Sequence, residues 1–223
     1  MDFVRPARPV SIGFVTGRGH YETVIGAVRE AKTSVWIATA NLKDLMVEDL
    51  RWRSRRRRID ATSYRSVIGV FAELRAAGVE LRILHAAPPS RPFRDELRRH
   101  ADLALDIRQC PRVHMKTVIV DGRFLYLESA NWTGAGLGAK GTGRRNFEIG
   151  IVTDDALLLD DVQELFDRIW RGAECGACRL RAECPGPLDA PGKSVARDDA
   201  AKSLARDVAA TIPRRRAAAG SRA

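Results

Sequence analysis

The residues with the clearest potential for chemistry lie in one short stretch, which reads HMKTVIVD from His114 to Asp121. A neutral imidazole is a good nucleophile near neutral pH, and a nearby ammonium stabilises charge that develops on phosphate oxygens. Three β-branched residues and the Asp121-Gly122 turn signal predict a strand, followed by a second strand at Arg123–Leu127. Since alternate residues of a strand share a face, we expect His114 and Lys116 to point into one pocket.

Three polar side chains further along the chain suit the same pocket. The hydroxyl of Ser129 and the amide of Asn131 are expected to bind phosphate oxygens. Glu148 is expected to hold the far ring nitrogen of His114, which fixes its tautomer and supports imidazolium character. Together these residue types predict attack on a phosphodiester.

The pattern H-x-K-x4-D, with Ser129, Asn131 and then Asn146-Phe147-Glu148, resembles the HKD motif of the phospholipase D superfamily. The spacing agrees with the family pattern through Asn131, and Glu128 stands where the family usually has glycine. From about Val10 to Arg171 the elements follow the order of a single-motif member, similar to the bacterial endonuclease-like branch. The resemblance implies a phospholipase D-like α/β sandwich, in which helices flank a mixed central sheet.

The resemblance also implies a mechanism and a partner. Two HKD motifs meet at one active site in that superfamily, so a chain with one motif is expected to form a homodimer. One His114 would attack phosphorus and form a phosphohistidine, and the partner subunit's His114 would be the general acid and later the base. Lys116, Ser129 and Asn131 would bind the phosphate, and Asp121 would be a structural ion-pair partner. The chemistry implied needs no cofactor.

The chain is basic, and its charge indicates the chemistry of its partner. Its 223 residues include 38 Lys plus Arg against 28 Asp plus Glu, a net charge of +10, which favours a polyanion such as nucleic acid. The length suits one domain with a substantial core. The first residues lack the apolar core of a signal peptide, and no apolar run suits a transmembrane segment, so we expect a cytoplasmic protein.

Alternating strand and helix patterns predict one α/β domain over residues 1–172. Further strands are predicted at Val10–Thr16, Ser34–Ala38, Glu80–Leu84, Leu103–Ile107 and Asn146–Thr153. Helices are predicted at Tyr21–Ala31, Tyr64–Ala77, Pro92–His100 and Asp155–Trp170, the last with Leu158, Val162, Leu165 and Ile169 on its inner face. We expect a helix-cap contact from His20 and a loop anchor from His85, rather than substrate contacts.

A run of arginines is one candidate substrate-binding segment. Arg51–Arg58 contains six arginines in eight residues, which predicts a phosphate clamp that includes Arg55 and Arg56. Trp52 is available to stack on a base. A solvated, exposed face is the alternative interpretation.

A glycine-rich loop, Trp132–Asn146, is the other candidate substrate-binding segment. Loops of this length in a compact domain are usually functional or mobile. We expect Arg144 and Arg145 to contact a phosphate backbone and Trp132 to form a lip of the pocket. A flexible connector is the alternative.

The cysteines form a second unusual pattern, because Cys175, Cys178 and Cys184 cluster in a short arm, residues 173–188. The fourth cysteine, Cys110, lies four residues before His114. In a cytosolic protein such a set favours a structural metal, either tetrahedral zinc or an iron–sulfur cluster, over disulfides. The spacing is similar to the iron–sulfur staple of RecB-like nucleases, whose carboxylate-rich motif is not found here. Free thiols are the alternative.

The last segment, residues 189–223, is rich in Ala, Arg, Asp, Gly and Ser and has few large apolar residues. This composition predicts a disordered basic tail with a non-specific attraction to polyanions.

Three functions are consistent with these observations. A nuclease, acting on DNA or RNA, agrees with the arginines, the basic tail and the single motif. A phospholipase D acting on phosphatidyl lipids would be expected to carry an apolar interfacial loop or an amphipathic membrane helix, and neither is evident. A nucleic-acid-binding module with a decayed site is the third, and Glu128 is its only indication.

Overall fold

The computed structural model describes residues 3–49, 64–100, 102–103 and 105–189. The predicted clamp at Arg51–Arg58 and the tail from residue 190 onwards lie outside these residues. Strands of the central sheet are β1 (Gly13–Thr16), β2 (Ser34–Thr39), β5 (Glu80–His85), β6 (Asp106–Gln109), β7 (Thr117–Val120), β8 (Phe124–Glu128) and β9 (Ile149–Thr153). A separate two-stranded sheet pairs β3 (Met46–Glu48) with β4 (Tyr64–Ser66). The helices are α1 (Arg18–Glu30), α2 (Val67–Ala76), α3 (Arg91–Arg99) and α4 (Ala156–Trp170).

The central sheet is mixed, with the strand order β1-β9-β8-β7-β2-β5-β6. Strand β5 is parallel to both of its neighbours, β2 and β6. Helix α2 lies in the connection from β2 to β5, and helix α3 lies in the connection from β5 to β6. Strands β7, β8, β9 and β1 continue the sheet as antiparallel neighbours. The α/β sandwich with a mixed sheet that the sequence predicts is confirmed.

Helices cover both faces of the sheet. Helices α1 and α2 bury Val24, Ile25 and Phe71 in the larger core cluster, on one face. Helix α4 covers the other face, where the Phe166 ring stacks on Trp36 with their centroids 5.2 Å apart. No described helix is long and apolar enough to cross a membrane.

The inner face of α4 differs from the prediction. The fully buried positions are Leu159, Phe166 and Trp170, whereas Leu165 is 36% exposed. The large rings of Phe166 and Trp170 fill the space above Trp36 and rotate the helix toward them. The predicted residues Leu158, Val162 and Ile169 are partly buried and flank that contact.

Two elements begin later than the pattern predicts. Helix α2 begins at Val67 because the Ser66 hydroxyl caps it, accepting from the Ile68 amide at 3.1 Å, while Tyr64–Ser66 pairs with β3. Strand β7 begins at Thr117, so His114 and Lys116 lie in the segment before it. Both residues therefore lie on a connection rather than on the predicted strand.

One edge of the sheet collects the candidate residues. The carboxyl ends of β2, β5 and β8 lie at this edge, together with the amino ends of β7 and β9. The register shows this arrangement, because Ala38 of β2 pairs with Thr117 of β7, and Glu128 of β8 pairs with Gly150 of β9. Open α/β sheets bind ligands outside the carboxyl ends of their parallel strands. The topology thus converges on the segments before β7, after β8 and before β9.

Candidate active site

His114 and Lys116 lie side by side at this edge. The Nζ atom of Lys116 is 3.3 Å from Nδ1 of His114 and donates to the carbonyl oxygen of His114 at 3.1 Å. Val113, 2% exposed, packs into the core cluster under α4, while the His114 ring is exposed. The buried valine anchors the segment and leaves the imidazole and the ammonium together at the surface.

Ser129 and Glu148 form a second polar pair at the same edge. Ser129 continues the ladder beyond β8, since its amide donates to the Ile149 carbonyl at 3.0 Å. Its hydroxyl donates to one carboxylate oxygen of Glu148, and the Asn146 side chain donates to the other at 3.1 Å. Among the described residues, no hydrogen bond joins Glu148 to His114, so the carboxylate orients Ser129 and Asn146 in place of the predicted imidazole contact.

Asn131 is held by the carboxyl end of β2. Its Oδ1 accepts from the Asn41 amide at 3.0 Å. The Thr39 hydroxyl, which donates to the Asn41 carbonyl at 3.0 Å, lies 3.4 Å from the same Oδ1. The same hydroxyl accepts from the Trp132 amide at 2.9 Å. With its oxygen engaged in this way, the side chain presents its Nδ2–H groups as donors. Thr39, 1% exposed, is thus a positioning residue that sequence reasoning missed.

A buried chain of polar groups lies beneath Glu148. His20 of α1 is fully buried, and its Nδ1 contacts the Tyr126 hydroxyl. Its Nε2 lies 3.1 Å from the Glu148 carbonyl oxygen. The Tyr126 hydroxyl is in turn 2.6 Å from a carboxyl oxygen of Glu128. The prediction of a helix-cap contact for His20 is therefore wrong, because the ring points from the helix into the sheet.

Gly150 makes room for this chain. A Cβ atom at Gly150 would lie 2.7 Å from the Tyr126 ring and 3.3 Å from the His20 ring. Any side chain on this residue of β9 would displace both rings. The spacing of His20, Tyr126 and Glu128 gives no motif in the sequence, although Tyr126 and Glu128 share a face of one strand.

Asp121 lies at the opposite end of β7 from His114. Its carboxylate accepts from the backbone amides of Lys32, Thr33 and Ser34, at 2.9, 2.7 and 2.9 Å, and from the Thr33 hydroxyl at 2.9 Å. Burial alone would raise the pKa of Asp121, but these hydrogen bonds lower the pKa to about 2. Asp121 is structural, but it binds backbone N–H groups in place of the predicted ion-pair partner.

The sequence of the domain identifies its family. The family described as the cardiolipin synthase, PLD-like domain matches residues 24–170, more than half of the chain. The chain belongs to the phospholipase D superfamily. The matched region contains all six motif residues, which are His114, Lys116, Asp121, Ser129, Asn131 and Glu148. Superfamily members are generally phosphodiesterases, so the chemistry of this site is phosphodiester cleavage or transfer.

Several solved structures are similar to this chain. Nuc from Salmonella typhimurium, described as a phospholipase D family member, is 17% identical with a TM-score of 0.50, and the match covers 72% of this chain and 95% of that chain. NucT from Helicobacter pylori is 15% identical with a TM-score of 0.48, covering 72% and 95%. Phosphatidylserine synthase from Haemophilus influenzae Rd KW20 is 18% identical with a TM-score of 0.44, covering 90% and 46%. None of the curated proteins compared with the chain matches it.

Glu128 is the departure of this chain from the phospholipase D pattern, and the structure gives it an environment. It is half-buried at the end of β8, between the buried Tyr126 hydroxyl and the site. Burial raises the pKa of Glu128 to about 8, and the charge of Glu148 acts in the same direction, against Tyr126 and Lys116. This shift favours the neutral form of the Glu128 carboxyl near neutral pH.

The predicted substrate-binding residues of the glycine-rich loop have different outcomes. Trp132 is 1% exposed and packs on Phe71 with ring centroids 6.0 Å apart, so the prediction that it forms a lip of the pocket is wrong. Its indole fills the core below Asn131. Arg144 is exposed on a short 3-10 turn, and Arg145 donates to the Lys140 carbonyl at 2.7 Å. Their phosphate contacts stay a prediction, and Arg55 and Arg56 lie outside the described residues.

His85 is the loop anchor that the sequence predicts. The ring is fully buried at the end of β5, and Nδ1 lies 2.9 Å from the Ala87 carbonyl oxygen. The His85 carbonyl also accepts from the Cys110 amide at 2.9 Å. Burial lowers the pKa of the His85 imidazole, which keeps the ring neutral.

The predicted metal ligands come together. Cys110, Cys175, Cys178 and Cys184 all line one cavity beside the last turn of α4. Within the described residues, no three His, Cys, Asp or Glu side chains close around one point tightly enough to hold a metal ion. The cysteines surround a space rather than a point.

Proposed function

We propose that the protein is a nuclease, which hydrolyses phosphodiester bonds of nucleic acid through a phosphohistidine on His114. The observation that carries this proposal is the exposed His114 ring beside the Lys116 ammonium, with Nζ 3.3 Å from Nδ1. A nucleophilic imidazole beside a positive charge suits attack on an anionic phosphate. Membership of the phospholipase D superfamily supports the same class of reaction.

The Lys116 contact also bears on which ring nitrogen of His114 reacts. An ammonium only donates, so Nδ1 accepts in the resting site and the ring proton lies on Nε2. A bound phosphate competes for the ammonium and draws it away from the ring. The proton then exchanges through solvent to Nδ1, and the Nε2 lone pair attacks phosphorus.

Three side chains are proposed to hold the phosphate during this attack. Lys116 neutralises the non-bridging oxygens, and the Nδ2–H groups of Asn131 donate to them. Ser129 lies next to them, held by Glu148. Because Thr39 and Asn41 fix the Asn131 side chain before substrate arrives, its donors cost little reorganisation during the reaction.

A second copy of the chain is proposed to complete the reaction, since the chain has one HKD motif. The partner subunit's His114 protonates the leaving oxygen as the Nε2–P bond forms and the P–O bond breaks. It then takes a proton from water, whose oxygen displaces His114 from phosphorus. Large apolar side chains beside the site support such an interface, because Phe14, Phe147 and Ile149 are 68%, 107% and 60% exposed.

Charge supports nucleic acid as the substrate. The net charge of +10 favours a polyanion, and Arg144 and Arg145 lie on the loop that leads to Glu148. Arg55 and Arg56 are proposed to extend this contact. We also propose a cytoplasmic location, where a reducing environment keeps cysteines available as metal ligands.

The test is cleavage of plasmid and single-stranded DNA and of RNA in excess EDTA, with phosphatidylcholine hydrolysis in parallel. We expect cleavage of nucleic acid by the wild type, none by His114→Ala, and full activity in His100→Ala, a matched surface histidine on α3. Choline release without nucleic acid cleavage would assign the site to phosphatidyl lipids. Retention of DNA on a filter without turnover of any substrate would identify a binding module instead.

A further inference from the structure

The chain folds so that its four cysteines meet, although one of them is distant in sequence. Cys175, Cys178 and Cys184 lie on a series of tight turns after α4, in which the Cys178 amide donates to the Cys175 carbonyl at 3.2 Å. Cys110 comes from the turn after β6, where its amide donates to His85 and its carbonyl accepts from Val113, both at 2.9 Å. The two segments face each other across the cavity that all four thiols line.

Apolar and basic side chains surround the half-buried thiols of this cavity. Ile169 and Leu188 line it together with the thiols, and Leu188 also packs against the core cluster under α4. Arg112 and Arg181 lie at its margin, where their charge would offset that of thiolate ligands.

We propose that the four cysteines bind one structural centre that takes four thiolates, either a zinc ion or a 4Fe–4S cluster. Four thiols from two segments distant in sequence line one cavity, which is the arrangement that such a centre requires. Since no set of three described His, Cys, Asp or Glu side chains already forms a metal site, binding must draw the thiols together.

The position of the centre indicates its role. It fastens the arm at residues 173–188 to the turn that begins at Cys110, and this turn leads within four residues to His114. The end of α4 is joined to the same region, because Arg108 donates to the Trp170 carbonyl at 2.7 Å. The centre is therefore structural: it fixes the segment that carries the nucleophile and takes no part in the reaction.

The first measurement is the metal content of the full chain purified without oxygen. We expect either about four iron with four acid-labile sulfide and absorbance at ~400 nm, or about one zinc, per chain. Less than about a tenth of an equivalent of either metal would overturn the site itself.

Variants assign the ligands. Cys110→Ser and Cys178→Ser should each lower the metal content at least about 10-fold, while Glu183→Gln, an exposed change on the same arm, should leave it unchanged. Because a variant can fail to fold, chelator treatment of the wild type provides a second measurement. Loss of metal should expose the arm to protease, with cleavage within residues 173–188. A protected arm in metal-free protein would contradict the fastening role, and none of these measurements depends on nuclease activity.

Discussion

The two ends of strand β7 carry the two ends of the HKD motif, and they are held in opposite ways. At one end, Asp121 accepts three backbone amides and a hydroxyl from the segment before β2. At the other end, the Lys116 ammonium contacts the ring and the carbonyl of His114 and forms no other side-chain hydrogen bond within the described residues. The two ends therefore have different roles. Asp121 fixes the register of β7 against β2, and that register places the side chains of His114 and Lys116 at the surface.

The largest expected effect on turnover is at the end of β7 that carries His114 and Lys116. Lys116→Met keeps the length of the side chain and removes its charge, so turnover should fall about 10²–10³-fold because phosphate loses its electrostatic partner. The melting temperature should stay within about 1 °C, since the residue is not a core contact. Lys32→Met, an exposed lysine at the Asp121 end, is the matched control and should cleave normally. Steady-state kinetics and thermal unfolding of both variants decide the matter; a strongly destabilised Lys116→Met would contradict the comparison.

The support beneath the reactive end is tested next. Gly150→Ala places a Cβ against the Tyr126 and His20 rings, and overpacking of this kind costs about 1–3 kcal/mol of unfolding free energy. Gly141→Ala is the control, because a Cβ there meets nothing within 4 Å. Urea unfolding measures both. Equal stability of the two variants would mean that the rings move freely.

The carboxyl group of Glu128 should make the free energy of unfolding depend on pH. In the folded protein the pKa of the Glu128 carboxyl is about 8, above its ordinary value of 4.5. The stabilisation that this carboxyl gives to the folded state is therefore fully present below pH 4.5 and is lost as the pH rises through 8. Glu128→Gln cannot ionise, and its amide oxygen still accepts from the Tyr126 hydroxyl. Between pH 6 and 9 the wild type should lose about 2 kcal/mol relative to this variant. Unfolding curves at both pH values measure the difference; parallel pH profiles would show that the acid is solvated.

The smallest expected effect belongs to the anchored end. Asp121→Asn removes the charge that the backbone amides bind, which should cost about 1–2 kcal/mol at pH 7 with turnover per folded molecule unchanged. Because the folded pKa of Asp121 is about 2 and its ordinary value is 3.8, its stabilisation is complete above pH 3.8 and disappears as the pH falls through 2. The wild type and the variant should therefore unfold alike near pH 2. A turnover defect at pH 7 larger than the loss of folded protein would give Asp121 a part in the chemistry.

The motif and the order of elements could be predicted from the sequence, because both depend on local spacing. The strand at β7, the turn at Asp121 and the pairing of His114 with Lys116 follow from residue types within one short stretch. The fold class follows from the alternation of apolar runs with amphipathic helices.

The partners of the motif residues could not be predicted in the same way. Thr39 and His20 come from β2 and α1, distant in sequence from Asn131 and Tyr126, and only the pairing of the strands brings them together. Trp132 follows the motif closely, yet it is core, because the chain turns inward at Ala130 and the indole fills the space against Phe71. Polar residues in a motif show which chemistry is present, and their burial depends on the whole sheet.

Strand β1 lies at the edge of the sheet, and its partner in the described structure is β9. Gly13–Thr16 leaves the ribosome early, whereas Ile149–Thr153 leaves it after most of the domain has been made. The first strand therefore stays unpaired through much of synthesis, and the ladder that seats Ser129 beside Ile149 cannot close before then. A nascent chain stalled before β9 would expose His114 without a formed site, so the site can form only after β9 has been made.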